Sequence, residues 1–248
     1  MGLNHNSIMP PLAAQDFLRV AYDPCHVESI DTNTLRSFDS IGNLGPSNPR
    51  DFTFEGTVYF AGDGLRLAGG NLYTSNFGWY GNMTTSFWMK TTSSSGYFYT
   101  ENNRPTGGCA RIYSYLNAGR FVFQLWDNSN YNATGNGYTD CNQQIFSTTT
   151  VNNNEWHYIT CVWTNNDSYN GGSNASGGYV YVNGVQEAFN PFVGNDGSYQ
   201  LWNLGGTGGC LGTSQQDCWL GPIHGYNTAL TTSQIQYNYN LYKNRYRP

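Results

Sequence analysis

Charge is the scarcest property of this sequence. Only 11% of its 248 residues are Asp, Glu, Lys or Arg, against roughly a quarter in an ordinary soluble domain, and only Lys90 and Lys243 are lysines. A surface that binds phosphates needs clustered basic side chains to displace counterions. The net charge is −5, and the basic cluster Lys243, Arg245 and Arg247 sits at the C-terminal end, so nucleic acid is excluded as an expected partner. The carboxylates are no better grouped, because Glu28, Glu55, Glu101, Glu155 and Glu187 stand singly. His5, His26, His157 and His224 have no Ser, Cys or carboxylate partner at a telling spacing, and the chain carries no G-x-S-x-G, phosphate loop or dinucleotide fingerprint. His157 reads as a strand residue among Trp156 and Trp163. No enzyme activity is expected.

Long apolar runs are missing as well. No stretch is long and apolar enough to span a bilayer as a helix, and residues 1–7 lack the basic and apolar regions of a secretory signal. The expectation is a product made in a cytoplasm with no membrane partner. Six cysteines in a chain of this length are few, and none forms a C-x-x-C pair, which argues against a zinc site. Cys210 and Cys218 flank a short loop and are the pair expected to bridge first, with Cys109 and Cys141 second. Cys161 falls in a strand pattern and is expected as a buried free thiol.

What the sequence has in quantity is rings. Aromatic residues make up 16% of it, and such side chains favour pleated, half-buried surfaces. From residue 50 onward, short runs of β-branched and aromatic residues alternate with Gly, Asn and Ser clusters, the spacing of a sandwich or barrel. Residues 52–60, 84–90, 97–99, 110–115, 120–126, 156–163 and 179–182 read as strands. Asn183-Gly184 supplies two positive φ angles for a type I′ turn, predicting a hairpin between 179–182 and 185–189. Helical spacing occurs only near the end, where residues 231–233 can cap a helix carrying Ile235, Tyr239 and Tyr242. Residues 1–17, with Pro10-Pro11 and no periodicity, read as an extended arm that orders against a neighbour, leaving 18–248 as one domain.

Four stretches together resemble the laminin-G-like, concanavalin A-like lectin and glucanase superfamily. Residues 54–60 (FEGTVYF) are similar to its early F-x-G strand, and 84–90 (TTSFWMK) to its strand with a Trp and a Lys two residues apart. Residues 154–162 (NEWHYITCV) followed by 178–185 (GYVYVNGV) resemble its W-H strand and Y-V-N-G hairpin. Residues 219–235 (WLGPIHGYNTALTTSQI) resemble its closing segment. The resemblance implies an all-β jelly-roll sandwich of two antiparallel sheets with one short C-terminal helix. Glucanases of this superfamily use two carboxylates close together on one strand, and no such run is present. Relatives hold calcium at the rim of the sandwich, which here points to Asp127, Asn128, Asp140 and Asp196 as the oxygen donors to test.

Residues 235–246 (IQYNYNLYKNRY) are similar to the terminus of laminin-G-like structural proteins of tailed bacteriophages. That narrower resemblance implies a virion structural or decoration protein, a capsid or fibre component on the particle surface. It would form homo-oligomers and contact other virion proteins. The alternative reading is a free-standing carbohydrate-binding module acting in adhesion. In both, host glycans are candidate partners, and the expected sugar-binding residues are Trp79 and Tyr80 in one Asn-rich segment and Trp126, Asp127, Asn128 and Tyr131 in another.

Overall fold

Alternating side chains in the strand Met83–Thr91 set the architecture. Met83, Phe87 and Met89 belong to one buried apolar cluster, while Trp88 points to the opposite side and belongs to a second. A strand buried on both faces needs a layer on each side. The sequence supplies a second sheet for one face and a helix for the other. The computed structural model describes residues 12–14, 16, 18–23, 30–31, 34–35, 52–61, 64–74, 77–79, 82–102, 110–127, 141–164, 177–191, 204–206, 209–211 and 217–247.

In chain order the strands are β1 (Leu18–Tyr22), β2 (Ile30–Asp31), β3 (Thr34–Leu35), β4 (Phe52–Glu55), β5 (Val58–Ala61), β6 (Gly64–Ala68) and β7 (Asn71–Thr74). There follow β8 (Phe77–Trp79), β9 (Met83–Thr91), β10 (Gly96–Asn102), β11 (Ala110–Asn117), β12 (Arg120–Asp127) and β13 (Cys141–Thr150). The last are β14 (His157–Thr164), β15 (Gly177–Val182), β16 (Val185–Pro191), β17 (Leu204–Gly206), β18 (Gly209–Leu211) and β19 (Asp217–Tyr226), before the helix α1 (Thr232–Tyr246). Sheet I has eight strands in the order β16-β15-β14-β9-β19-β6-β5, with β1 paired to β19 off this path. Sheet II has nine, in the order β13-β12-β11-β10-β18-β7-β4-β3-β2, and β8 pairs with β17 separately. The described pairings are antiparallel, as a jelly-roll sandwich of two sheets requires.

The interior between the sheets is apolar. Leu65, Phe87, Met89, Ile159, Trp163, Val180 and Leu220 of sheet I meet Leu72, Phe98, Phe121, Phe123 and Ile145 of sheet II, each burial contributing about 1.5–3 kcal/mol. The run expected as one strand over 52–60 is in fact two. It breaks at Gly56 and Thr57, so β4 pairs with β7 in sheet II while β5 pairs with β6 in sheet I. The β15–β16 hairpin turns on Asn183 and Gly184 with φ of 54° and 80°, as the dipeptide predicts. The ten-residue β13 was not foreseen, because its first half, Cys-Asn-Gln-Gln, lacks an apolar alternation.

The helix covers the outer face of sheet I. Thr231 closes a capping box with Gln234, and Ile235, Asn238, Tyr242 and Tyr246 face inward at three- and four-residue steps. Beneath them lie Trp88, Tyr158, Val162, Tyr181 and Tyr226. The polar groups here are partnered where the strands allow it. The Tyr158 hydroxyl donates to Ser86 Oγ at 2.9 Å, Asn238 Nδ2 donates to the Tyr226 hydroxyl at 3.0 Å, and Thr84 Oγ1 donates to the Thr228 carbonyl at 2.8 Å. Gly221 leaves room for the closest approach, since a Cβ there would lie 2.8 Å from Trp88 Cβ and 3.0 Å from Tyr246 Cζ. Part of the expected arm is held against this layer: Leu12 is buried in the same cluster, and the Ala13 amide donates to Asn238 Oδ1 at 2.9 Å. Residues 1–11, 15 and 17 of the arm lie outside the described residues.

One expectation is corrected. Cys218 is a buried free thiol, pushed up to about 12 by burial, so the Cys210–Cys218 bridge is not formed. The strands explain why: Cys218 sits in β19 opposite Leu67 of sheet I, whereas Cys210 sits in β18 opposite Tyr73 of sheet II. Cys161 is a buried free thiol, as expected. Cys141 opens β13, and its expected partner Cys109 lies outside the described residues.

Candidate functional site

Lys90 is the last outward-facing residue of β9 before Thr91 ends the strand, and there the cover of α1 gives out. The cross-strand register places a row of side chains through it. Tyr59 of β5 stands opposite Arg66 of β6, Arg66 opposite Trp219 of β19, and Trp219 opposite Lys90. His157 opens β14 against Met89, so Trp156, the residue before it, falls beside Lys90. Rings and cations thus alternate across four strands and the approach to a fifth.

The contacts follow the register. The Arg66 guanidinium carbon lies 4.8 Å from the Trp219 ring centroid and 5.8 Å from that of Tyr59. Lys90 Nζ lies 5.0 Å from Trp219 and 5.7 Å from Trp156. Such contacts draw a cation to the electron-rich face of a ring. At the far end Trp156 meets Tyr246 of α1 edge-on at 4.8 Å, and Tyr246 stacks on Trp88 at 4.9 Å, so the row runs into the covered half of the same face. The row is open to solvent at its other end, where Tyr59 is 41% exposed.

The two cations differ in how they are satisfied. Arg66 donates from Nε to Asp217 Oδ1 at 2.7 Å and from Nη2 to Oδ2, and Nη1 donates to the Tyr59 hydroxyl at 2.8 Å. The Arg66 guanidinium holds the Asp217 carboxyl below its usual range, and the carboxylate raises Arg66 in turn. Lys90 has no hydrogen bond or ion pair with any described residue, and its contacts are the two indoles.

His157 is not stacked between Trp156 and Trp163. It faces the other side of β14 from Trp156, where Nε2 lies 2.9 Å from Asn153 Oδ1 and Nδ1 lies 3.4 Å from Asn183 Nδ2. Burial lowers its pKa. His224 is fully buried against Tyr242, with ring centroids 5.6 Å apart. Neither of its ring nitrogens has a partner among the described residues, and burial lowers its pKa to about 3.

The residues expected to bind sugar are not gathered by the described strands. Trp79 ends β8, opposite Leu204 of β17. Trp126 lies in sheet II opposite Arg111 and Asn142, and Asp127 follows it opposite Ala110 and Cys141. No described ladder joins the two groups, and Tyr80, Asn128 and Tyr131 lie outside the described residues. For calcium, Asp127 is the one named donor inside the described residues, and its ladder neighbours bring no second carboxylate. Asn128, Asp140 and Asp196 fall outside, and no group of three His, Cys, Asp or Glu side chains converges among the described residues. No helix among them is long and apolar enough to cross a membrane.

Comparison with known proteins bears on the fold. The sequence profile described as the concanavalin A-like lectin/glucanases superfamily, of laminin-G type, matches residues 61–236. No curated protein matches the chain. Among solved structures, the chain is similar to the binding domain of paraclostridial mosquitocidal protein 1, with 15% identity and a TM-score of 0.58 over 93% of this chain and 53% of that one. It is similar to the binding domain of botulinum neurotoxin DC in complex with SialylT, at 15% identity and a TM-score of 0.58, covering 92% and 52%. The same toxin's binding domain in complex with rat synaptotagmin II gives 16% identity and a TM-score of 0.58 over 92% and 52%. The chain spans about half the length of these structures, and at such identities the likeness is one of fold.

Proposed function

The chain belongs to the concanavalin A-like lectin/glucanases superfamily, and from that premise we propose that it is a non-catalytic binding module that takes a glycan on the open half of the outer face of sheet I. One observation carries the reading: Tyr59, Arg66, Trp219, Lys90 and Trp156 form a single row in which rings alternate with cations. A sugar presents C–H groups on its flat faces and hydroxyls around its rim. Ring edges and faces answer the first, and charged donors answer the second with hydrogen bonds stronger than neutral ones. The binding domain of botulinum neurotoxin DC, which shares the fold, is known with SialylT and with rat synaptotagmin II, so sugar and protein ligands are both compatible with this architecture.

The carboxylates support binding over hydrolysis. Glycosidases place two carboxyl groups roughly 5–9.5 Å apart, one of them protonated. Among the described residues, Asp217 lies beside Arg66, which lowers its pKa and keeps it ionised, and Glu155 stands at the other end of the row, next to Trp156. A glycan array read with the wild type and Trp219→Ala tests the proposal. Retention of a defined glycan set by the wild type, lost in the variant, supports it, and no retention on any glycan overturns it.

A finer reading places the module on a phage particle, as a capsid or fibre decoration that assembles with copies of itself and gains avidity for host glycans from repetition. The observation that favours self-association is at the two edges of sheet I. Phe60 on β5 is 50% exposed, and Val185 and Phe189 on β16 are 60% and 41% exposed, with no lysine on either strand to discourage edge pairing. Light scattering after size-exclusion chromatography decides it: a defined oligomer supports assembly, and a monomer at micromolar concentration leaves the free-standing module.

A further inference from the structure

We infer that the sugar bound by this row bears a carboxylate, and that Lys90 is the residue that receives it. The inference rests on the glycan-binding reading and names the ligand class for the same site. Its ground is the contrast between the two cations of the row. Arg66 is spent: both oxygens of Asp217 and the Tyr59 hydroxyl accept from it. Lys90 stands between two indoles and has no acceptor among the described residues.

The composition sharpens the contrast. The chain has two lysines and a net charge of −5, and one of the two is set where a Trp flanks it on either side. The indole faces hold the ammonium in position and strip water from its flanks, leaving its outward side to whatever anion arrives. A hydrogen bond between an ammonium and a carboxylate is stronger than one between neutral partners, and the half-buried Trp219 indole beside Lys90 can take the apolar face of the ring that carries the acid, while Trp156, buried beneath Tyr246, backs the ammonium from the other side. Arg66 is neutralised by Asp217, so the row has one positive charge to offer. That matches a monoanionic carboxylate, as in sialic or uronic acids, better than a phosphate, which calls for several donors.

The test is isothermal titration of the full chain with 3′-sialyllactose and an oligoglucuronate, each beside its methyl ester and its neutral parent, and with a sulfated lactose. The expected result is affinity for the acids about ten- to hundredfold above ester and parent, weakening with salt. Lys90→Gln falls to the neutral level, and Lys90→Arg retains most of the preference. The ester arm changes the ligand alone, so it reads out even where a variant fails to fold. Equal affinity for acid and ester overturns the inference, as does a preference confined to the sulfated sugar. Binding of neutral glycans that Trp219→Ala abolishes and Lys90→Gln does not overturns the inference and leaves the lectin reading standing. Absence of binding to every sugar overturns both.

Discussion

Under α1, the outer face of sheet I buries Trp88, Tyr158 and Tyr226 completely, and beyond the helix the same strands leave Lys90 and Trp219 half open. Both halves are built from rings on β9 and β19. In the covered half, the hydroxyls of Tyr158 and Tyr226 are matched to Ser86 and Asn238, and the ring faces meet other rings, as Trp88 meets Tyr239 and Tyr246. In the open half the ring faces meet Arg66 and Lys90. One aromatic pattern serves as a second core where a helix lies on it and as a polar surface where none does. The covered half should therefore answer to mutation in stability, and the open half in binding.

The largest expected effect is Trp88→Ala, a loss of about 3–5 kcal/mol from emptying a filled site, read by urea unfolding. Trp219→Ala should lose far less, and an equal loss in both would erase the distinction between the halves. Acid comes next. The unfolded chain protonates His224 near 6.5 while burial holds it neutral in the fold down to about 3. Stability is thus full above pH 6.5 and falls as pH drops, by about 2 kcal/mol at pH 5. His157, also lowered by burial, adds in the same direction. His224→Phe should remove its share of that slope in urea midpoints compared between pH 7 and pH 5, and an unchanged slope would move the acid sensitivity off the helix-covered half.

Thr231→Ala removes the side-chain acceptor of the capping box and should cost about 1 kcal/mol, visible as a lower thermal midpoint with the row's ligand binding intact. The smallest effect belongs to the open half. Asp217→Asn breaks a pair whose side chains are 33% and 45% exposed, so its effect on stability should be the least of the four and shrink in salt. Because Arg66 lowers the Asp217 pKa, what the pair contributes is present above 3.8 and lost as pH falls below it. Unfolding curves of variant and wild type should converge there.

Much of this was legible in the residues. The Asn183-Gly184 hairpin, the capped terminal helix and most strands of sheet I announce themselves through turn chemistry and alternation. Two things did not. A run such as 52–60 carries strand-forming residues throughout, and only the pairing partners of β4 and β5 reveal that it serves two sheets. The site was missed for a related reason. Tyr59, Lys90, Trp156 and Trp219 each lie in a stretch that resembles the family, but their adjacency is a matter of register between strands far apart in the chain. Trp79 and Trp126 have neighbours of sugar-binding composition, but composition says nothing about which rings share a face.

The position of β19 also bears on the order in which this protein can be made. Its neighbours are β9, β6 and β1, and its register with β1 joins Leu18 to Tyr226. Contacts of such separation are slow to form because the chain between them must first be gathered in. On a ribosome, β9 and β6 would emerge long before the strand that sits between them, holding open a slot that nothing nearby in sequence can fill. The centre of sheet I should then form late, after synthesis of nearly the whole chain, and a chain halted before residue 217 should present that slot to chaperones or to other copies of itself.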